Sequence, residues 1–231
     1  MQTDAKDLER IRDEIVAALS AISCVRAVDS FGSLASGSAD RWSDLDLLVA
    51  CETPEQTAWL AAGAIRAAKR VAFFRMFTGV VQPSGRYWFE GESPFHKLDI
   101  SFHRLDERQA VASSGVRLGH PIDVKVEYEA HRAADPAADL REHVAAAAVD
   151  VTPRETEIGS LLYIHLLAAK DHLRDQDSKW NMADTRRLLL DAAAAGPIIA
   201  GGGDLAALID KTDDFIQSKA STAVSKGRTS W

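Results

Sequence analysis

The stretch FGSLASGSADRWSDLDLLV, residues 31–49, places a Gly-Ser pair and a polar loop ahead of an apolar run that carries two acids. The run LDLLVA is typical of a buried strand. Asp44 and Asp46 are separated by one residue, so they point to the same face of that strand. Asp is a poor strand residue, and two neighbouring carboxylates repel each other. The pattern therefore predicts a positive charge between them, and replacing either acid with Asn is expected to relieve the repulsion.

A third acid extends this pattern further along the chain. Asp99 lies between Leu98 and Ile100 in HKLDISFH, whose alternation predicts another strand with one polar face. If the two strands are neighbours, three carboxylates converge, and unpaired carboxylates raise each other's pKa values. Divalent cations with oxygen ligands, such as Mg²⁺, remove that conflict. The three acids are therefore candidate metal ligands.

The Gly-Ser pair supplies a second half of the candidate site. Gly32 lets the backbone approach a ligand closely, and the amides that follow it, with the Ser33 hydroxyl, can donate to phosphate oxygens. Metal-binding acids beside a phosphate-binding turn indicate phosphoryl or nucleotidyl transfer. The alternative, a solvated serine-rich loop beside an acidic edge, explains poorly why three acids occur on apolar strands.

The remaining sequence divides into two parts of different character. The first part mixes predicted helices with predicted strands, whereas almost everything after residue 128 has helical character. We therefore predict an α+β fold with a catalytic domain over 1–130 and a helical C-terminal domain over 131–231. Glycines 201–203 are interpreted as a helix stop, because no Lys-Ser or Lys-Thr follows them. The predicted helices are 4–22, 54–70, 105–114, 137–149, 153–175, 179–195 and 204–218, and the other predicted strands are 24–31, 71–82, 86–90 and 121–128.

Composition and charge limit the classes of function. The chain is 46% hydrophobic and 26% charged, typical of a globular protein, and it contains no apolar run long enough to span a membrane. Without an apolar leader, a cytoplasmic location is expected. Cys24 and Cys51 are expected to be reduced, although a bridge between them stays open. The net charge of −7 argues against a nonspecific grip on nucleic acid and suits a cationic acceptor.

The order of these motifs resembles a known family. FGS, ten residues, DLD and a later apolar-Asp-apolar strand are similar to the nucleotidyltransferase superfamily that includes DNA polymerase β, over about residues 25–103. The resemblance implies a polymerase-β-like mixed sheet flanked by helices and followed by a helical bundle. It implies that Gly32 and Ser33 hold the phosphates of a nucleoside triphosphate and that Asp44 and Asp46 bind two Mg²⁺ ions. It also implies that Asp99 completes one metal site and acts as, or lies beside, the base that deprotonates the acceptor.

Several other side chains have two interpretations each. Lys97 shares the face of the third acid and either reaches a phosphate or forms a salt bridge with one of the acids. Lys170 and Arg174 lie one turn apart on a predicted helix of the second part. There the resemblance implies a nucleotide-binding cation, and a solvated helix face is the alternative. Arg41 and Trp42 either stack on a ligand or belong to a surface loop with one packed Trp.

The layout most resembles the antibiotic group of that superfamily, which includes aminoglycoside and lincosamide nucleotidyltransferases. This resemblance implies ATP as co-substrate and transfer of AMP to a hydroxyl of a small acceptor, in a pocket walled by the helical part. Nucleic acid is not expected as acceptor, because no basic stripe is present. A toxin–antitoxin component that modifies or binds a protein partner stays open, as does a homodimer. The acceptor pocket is expected to include side chains of the helical part, such as Glu155, Glu157, Tyr163, Asp171 and Trp180.

Overall fold

A computed structural model describes residues 5–77, 82–108, 124–129, 153–194 and 205–227. Within these ranges a mixed six-stranded sheet is combined with helices, which confirms the predicted α+β fold. The strands are β1 (Val25–Phe31), β2 (Leu45–Cys51), β3 (Val71–Phe77), β4 (Ser84–Phe89), β5 (Leu98–Arg104) and β6 (Val124–Glu129). The helices are α1 (Ala5–Ser20), α2 (Gly32–Ala35), α3 (Pro54–Ala68), a 3-10 helix (Leu105–Glu107), α4 (Pro153–Leu173), α5 (Met182–Ala194) and α6 (Leu205–Gly227).

The described elements agree in type with the predicted ones and differ mainly at their ends. The strand that was expected to include Asp44 begins at Leu45, so the first acid lies in the preceding loop. Of the helix predicted at 105–114, the structure describes a 3-10 turn at Leu105–Glu107 and Arg108 after it, and residues 109–114 lie outside the described residues. The helix predicted at 137–149, the end of the strand predicted at 71–82 and glycines 201–203 lie outside the described residues.

The sheet order β3-β4-β5-β2-β1-β6 places the two acid-bearing strands side by side. β2 and β5 are parallel, whereas the other neighbouring strands are antiparallel. A parallel pair needs a long crossover connection, which α3, β3 and β4 supply. The register pairs Asp46 with Asp99. The sheet therefore brings together two residues that are far apart in the sequence.

One face of the sheet is covered by α1 and α3. Leu8, Ile11, Ile15 and Leu19 recur at helical spacing on α1 and are completely buried against the strands. The strand residues that alternate with Asp46 belong to the same cluster. The apolar face of β2 is thus used for the core, and the opposite face is left for polar groups.

The opposite face of the sheet carries the helical part. Phe73 of β3 and Trp88 of β4 are buried with residues of α4, α5 and α6 in one cluster. Trp42 belongs to this cluster and packs edge-on against Phe95 and Phe215, with ring centroids 5.3 and 5.5 Å away. Of the two interpretations of Trp42, packing is therefore the correct one. The helical part and the strands share a buried interface on the same face of the sheet as Asp46.

Two further expectations concern redox state and membranes. Cys24 and Cys51 are both free and buried, so they are thiols as expected. Burial raises the pKa of the Cys51 thiol to about 12, which keeps it protonated. None of the helices in the described residues combines the length and apolar character needed to cross a bilayer.

We predict that a single apolar side chain of α4 contributes strongly to stability. Leu162 is completely buried in the shared cluster, so Leu162→Ala should lower the free energy of unfolding by about 2–5 kcal/mol. Leu188→Ala is the matched control, because Leu188 is 44% exposed, and it should cost less than about 1 kcal/mol. Urea denaturation measures both values. Equal losses in the two variants would contradict a helical part that is packed on the strands.

Candidate active site

Three carboxylates converge at one end of the β2–β5 pair. Asp44 lies directly before β2, Asp46 is the second residue of that strand, and Asp99 is the second residue of β5. Oxygen atoms from the three side chains all lie within 4.8 Å of one another. The parallel register produces this cluster, since it aligns Asp46 with Asp99. The convergence predicted from the sequence is confirmed.

Lysine side chains neutralise two of the acids. Lys97 Nζ donates to Asp44 Oδ2 at 2.7 Å and to Asp99 Oδ2 at 2.6 Å, and Lys97 is only 4% exposed. Lys170 Nζ, from α4, donates to Asp44 Oδ1 at 2.8 Å. Lys97 therefore forms the salt bridges that were one of its two interpretations. Lys170 contacts the acids and does not lie on a solvated helix face.

Arg86 is a member of the site that the sequence analysis missed. Its Nε donates to Asp99 Oδ1 at 2.8 Å, and its guanidinium carbon lies 3.7 Å from the ring centroid of Tyr163 on α4. The contact follows from the β4–β5 register, which pairs Arg86 with Asp99. A single arginine in the otherwise aromatic run RYWF could have indicated it, because a charged residue on a strand favours a partner of opposite charge on the next strand.

The charges of the three acids are not equally balanced. Burial alone would raise the pKa of Asp44, but the ammonium groups of Lys97 and Lys170 outweigh it and hold that pKa well below its usual range. Burial and the neighbouring Asp44 carboxylate raise the pKa of Asp46 to about 7. Among the described residues, no side chain or amide donates a hydrogen bond to the Asp46 carboxylate. The repulsion expected for both acids therefore falls on Asp46.

This donor set fits a hard divalent cation. All candidate ligand atoms are carboxylate oxygens, which Mg²⁺ prefers, and among the described residues no cation forms an ion pair with Asp46. A bound cation would relieve the cost that Asp46 carries and would take over the role of Lys97 between Asp44 and Asp99. The residues present are thus consistent with a metal site.

Gly32 lies against the cluster and needs to be a glycine for two reasons. Its φ is +73°, a conformation that side chains disfavour. A Cβ added at Gly32 would also lie 2.8 Å from Asp46 Oδ2. Ser33 follows in the first turn of α2, and its carbonyl accepts a hydrogen bond from the Ser38 amide at 2.9 Å. The Gly-Ser turn is therefore held directly beside the acid, as the sequence predicts.

A second cation of α4 fixes the loop that leads to the acids. Arg174 donates from Nε and Nη2 to the two Asp40 oxygens at 3.0 and 2.8 Å. Asp40 in turn accepts hydrogen bonds from the Trp42 amide and the Ser43 hydroxyl. Because Lys170 and Arg174 both contact this segment, α4 holds the loop at two neighbouring points.

The acids separate two spaces of unequal size. A cavity of about 390 Å³ opens beside Asp46 and Asp99, and Phe31, Phe77, Ser84, Gly85, Arg86, Ile100 and Ser101 complete its lining. On the other side, a cleft of about 10 Å³ lies between Asp44, Lys97 and α4. That volume is comparable to the space needed by one water molecule.

The structure describes the side chains of three of the five helical residues that were expected to line the acceptor pocket. Tyr163 borders the narrow cleft and stacks on Arg86. Asp171 and Trp180 line neither space, and the side chains of Glu155 and Glu157 lie outside those that the structure describes. The larger cavity is formed by strand residues of the first part.

Comparison with known proteins places these motifs in context. A family model described as a nucleotidyltransferase domain matches residues 8–146. A cytoplasmic RNA terminal U-transferase is 16% identical, with a TM-score of 0.36 over 76% of this chain and 43% of that chain. The Cid1 poly(U) polymerase is 17% identical, with a TM-score of 0.39 over 75% and 43%. A STING-associated CdnE c-di-GMP synthase from Capnocytophaga granulosa is 10% identical, with a TM-score of 0.35 over 95% and 81%.

The chain spans less than half the length of the first two of these proteins. No curated protein matches it at a significant level.

We predict that replacing Asp46, in β2, and Asp44, in the loop before it, has opposite effects on stability. With chelator at pH 8, Asp46→Asn should raise the free energy of unfolding by about 1–3 kcal/mol, because ionising Asp46 costs stability wherever its folded pKa exceeds the unfolded one. That gain should be complete above pH 7 and absent near pH 4, since Asp46 has a pKa of about 7 in the folded chain. Asp44→Asn should instead lower it by about 1–3 kcal/mol, because Lys170 loses its carboxylate partner and Lys97 loses one of its two. Urea denaturation of both variants measures this, and a gain in both would contradict the unequal charge balance.

Gly32→Ala should displace Asp46 and weaken metal binding at least tenfold. The matched control is Gly37→Ala, because Gly37 has a φ of +71° but nothing within 4 Å of an added Cβ. Both variants should lose about 1 kcal/mol from backbone strain. Titration with Mn²⁺, followed by electron paramagnetic resonance, should show weakened binding only in Gly32→Ala. Equal Mn²⁺ affinity in the two variants would show that the close approach to Asp46 is unimportant.

Proposed function

Because the chain belongs to the nucleotidyltransferase domain family, and is therefore a transferase enzyme, we propose that it moves AMP from ATP onto a hydroxyl of a small acceptor such as an antibiotic. The observation that carries this proposal is the cluster of Asp44, Asp46 and Asp99, with Asp46 in contact range of the Gly32 backbone. Carboxylates beside a phosphate-binding turn support transfer of a phosphorus-containing group. Both the donor nucleotide and the acceptor are parts of the proposal.

The three acids are proposed to hold two Mg²⁺ ions. When bound, these ions would stabilise the negative charge that develops on the phosphate oxygens during transfer. The chain itself holds the acids in place, because Lys97 and Arg86 each donate to one oxygen of Asp99. The cluster is thus oriented before any ligand arrives.

Asp99 is proposed to act on the acceptor, because it lines the large cavity whereas Asp44 borders the narrow cleft. The acceptor hydroxyl gives its proton to Asp99, and its oxygen forms a new bond to the α-phosphorus. The bond from that phosphorus to the bridging oxygen of the β-phosphate breaks, and pyrophosphate leaves with the bonding electron pair. The products are the adenylylated acceptor, pyrophosphate and one proton.

The phosphates of the nucleotide are proposed to lie on the Asp44 side. Lys97 and Lys170 bring two ammonium groups to Asp44 there, and Gly32 and Ser33, which lie beside the neighbouring Asp46, offer backbone and hydroxyl donors. These lysines now pair with the acids, so a nucleotide would require them to exchange carboxylate partners for phosphate oxygens. The cleft volume of about 10 Å³ has no room for a phosphate, so the proposal requires the lysines to move when the nucleotide binds.

A small acceptor is favoured by the size of the larger cavity. Its volume of about 390 Å³ lies within the range of about 300–1,000 Å³ that is usual for small-molecule sites. The net charge of −7 favours a cationic acceptor and disfavours nucleic acid. The lining of the cavity contains a cation, Arg86, as well as the acids Asp46 and Asp99.

The proposal predicts that Asp99→Asn separates transfer from nucleotide binding. Pyrophosphate release with ATP, Mg²⁺ and a panel of hydroxylated acceptors should fall by about three orders of magnitude or more, because the acceptor loses its base. The affinity for Mg²⁺-ATP should stay within about tenfold, or about 1.4 kcal/mol. Asp46→Asn should lose both transfer and nucleotide affinity.

Asp106→Asn serves as the matched control, because the Asp106 side chain is 72% exposed and lies outside the cluster. It should keep full activity. Undiminished transfer in excess chelator would overturn the proposal. If Asp99→Asn loses ATP affinity as severely as Asp46→Asn does, then Asp99 is chiefly a ligand of the nucleotide-bound metal.

A further inference from the structure

Arg86 lines the larger cavity, and Arg75 lies beside it on the neighbouring strand. Arg75 of β3 and Arg86 of β4 are direct partners in the antiparallel register. Their guanidinium carbons lie 3.9 and 5.1 Å from the centroid of the same ring, that of Phe77. Like charges directly opposite each other on a sheet are destabilising. Burial and the neighbouring Arg86 both lower the pKa of Arg75.

The hydrogen-bonding capacity of these arginines is largely unused. A guanidinium carries five N–H donors. Arg86 donates from Nε to Asp99, and within the described ranges its two terminal nitrogens have no hydrogen-bond partner. Arg75 donates from Nη1 to the Ser160 hydroxyl, and its buried Nε has no acceptor among the residues that the structure describes. A buried donor without an acceptor is destabilising, so a ligand that supplies an acceptor group would be favoured here.

The position of the arginine pair relates it to the reacting group. Arg86 is the register partner of Asp99 and lines the same cavity. Ser84 and Ser101 are also register partners, and both line the cavity together with Phe77. The cavity therefore combines a base, a guanidinium with free donors, two hydroxyl-bearing residues and an aromatic ring.

We propose that this cavity binds a hydroxylated acceptor that carries an anionic phosphate or carboxylate group, held by Arg86 and Arg75. Planar guanidinium groups match both anions with paired hydrogen bonds. The Phe77 ring supports the body of the molecule, while Ser84 and Ser101 bind its other hydroxyls. This inference rests on the proposed function, and it replaces the cationic acceptor suggested by net charge with an anionic one chosen by local contacts.

The inference is tested by binding alone, without ATP or metal. Isothermal titration calorimetry in chelator compares ribose 5-phosphate with ribose, and glucuronate with glucose, on the full chain. At least one anionic sugar should bind ten times or more as tightly as its neutral partner, and the pair that responds identifies phosphate or carboxylate. Arg75→Met should weaken that binding at least tenfold. Equal affinities within both pairs, including no binding at all, would overturn the inference.

The Lys170→Met variant distinguishes the cavity from the nucleotide side. Lys170 contacts Asp44 across the cluster and does not line the larger cavity, so the anionic sugar should bind this variant within about twofold of the original chain. If Lys170→Met weakens binding and Arg75→Met does not, the anion binds at the proposed triphosphate position, and the inference is overturned. Arg75→Lys keeps the charge but loses the planar fork, and it should weaken binding even if Arg75→Met fails to fold.

A transfer assay separates failure of this inference from failure of the proposed function. Ribose 5-phosphate, glucuronate and the cationic aminoglycoside kanamycin are each offered with ATP and Mg²⁺. Transfer to kanamycin, with no binding of either anionic sugar, would overturn the anionic acceptor and leave nucleotidyl transfer intact. Arginine-dependent binding of an anionic sugar, with no pyrophosphate release from any acceptor, would overturn the proposed function and support the anion site.

Discussion

The candidate site depends on the register between β2 and β5. Parallel pairing fixes Asp46 beside Asp99, and the residue before β2 adds Asp44 to the same cluster. The apolar residues that alternate with these acids are buried against α1 and α3, so a slip by one residue would bury carboxylates in the core. The hydrophobic pattern thus holds the three carboxylates together although they repel each other, and the surrounding cations offset that repulsion.

These cations link the helical part to the acids at the end of the sheet. Lys170 of α4 pairs with Asp44, while Arg174, one turn later, pairs with Asp40 in the loop that precedes it. The apolar cluster around Leu162 holds α4 on the strands independently of both ion pairs. The position of α4 is therefore set by packing, and its two cations can change partners without releasing the helix.

The sequence was sufficient to identify the acids, because their spacing follows from a period of two along a strand. It was also sufficient to identify the Gly-Ser turn, because its residue types suit a close approach to a phosphate. It left the role of Lys97 undecided, since one side chain on the polar face can reach either a phosphate or a carboxylate. Arg86 and Arg75 were missed for a different reason. Their proximity to Asp99 and to each other depends on which strands are neighbours, and antiparallel pairing of β3, β4 and β5 is not encoded in any local pattern. The large cavity follows from the same pairing, and its lining of strand residues was likewise not predicted.

The distribution of charge explains why net charge is a poor guide to the acceptor. The net charge of −7 describes the surface as a whole. Its attraction or repulsion of an approaching molecule is screened by salt over about 8–10 Å. Inside the cavity, Arg86 lies 2.8 Å from Asp99, and each of these charges is only partly screened by water. A ligand within such a space responds to the nearest groups, whose donors are fixed in direction. A long-range attraction and short-range contacts can therefore favour molecules of opposite charge, and binding inside the cavity is governed by the short-range contacts.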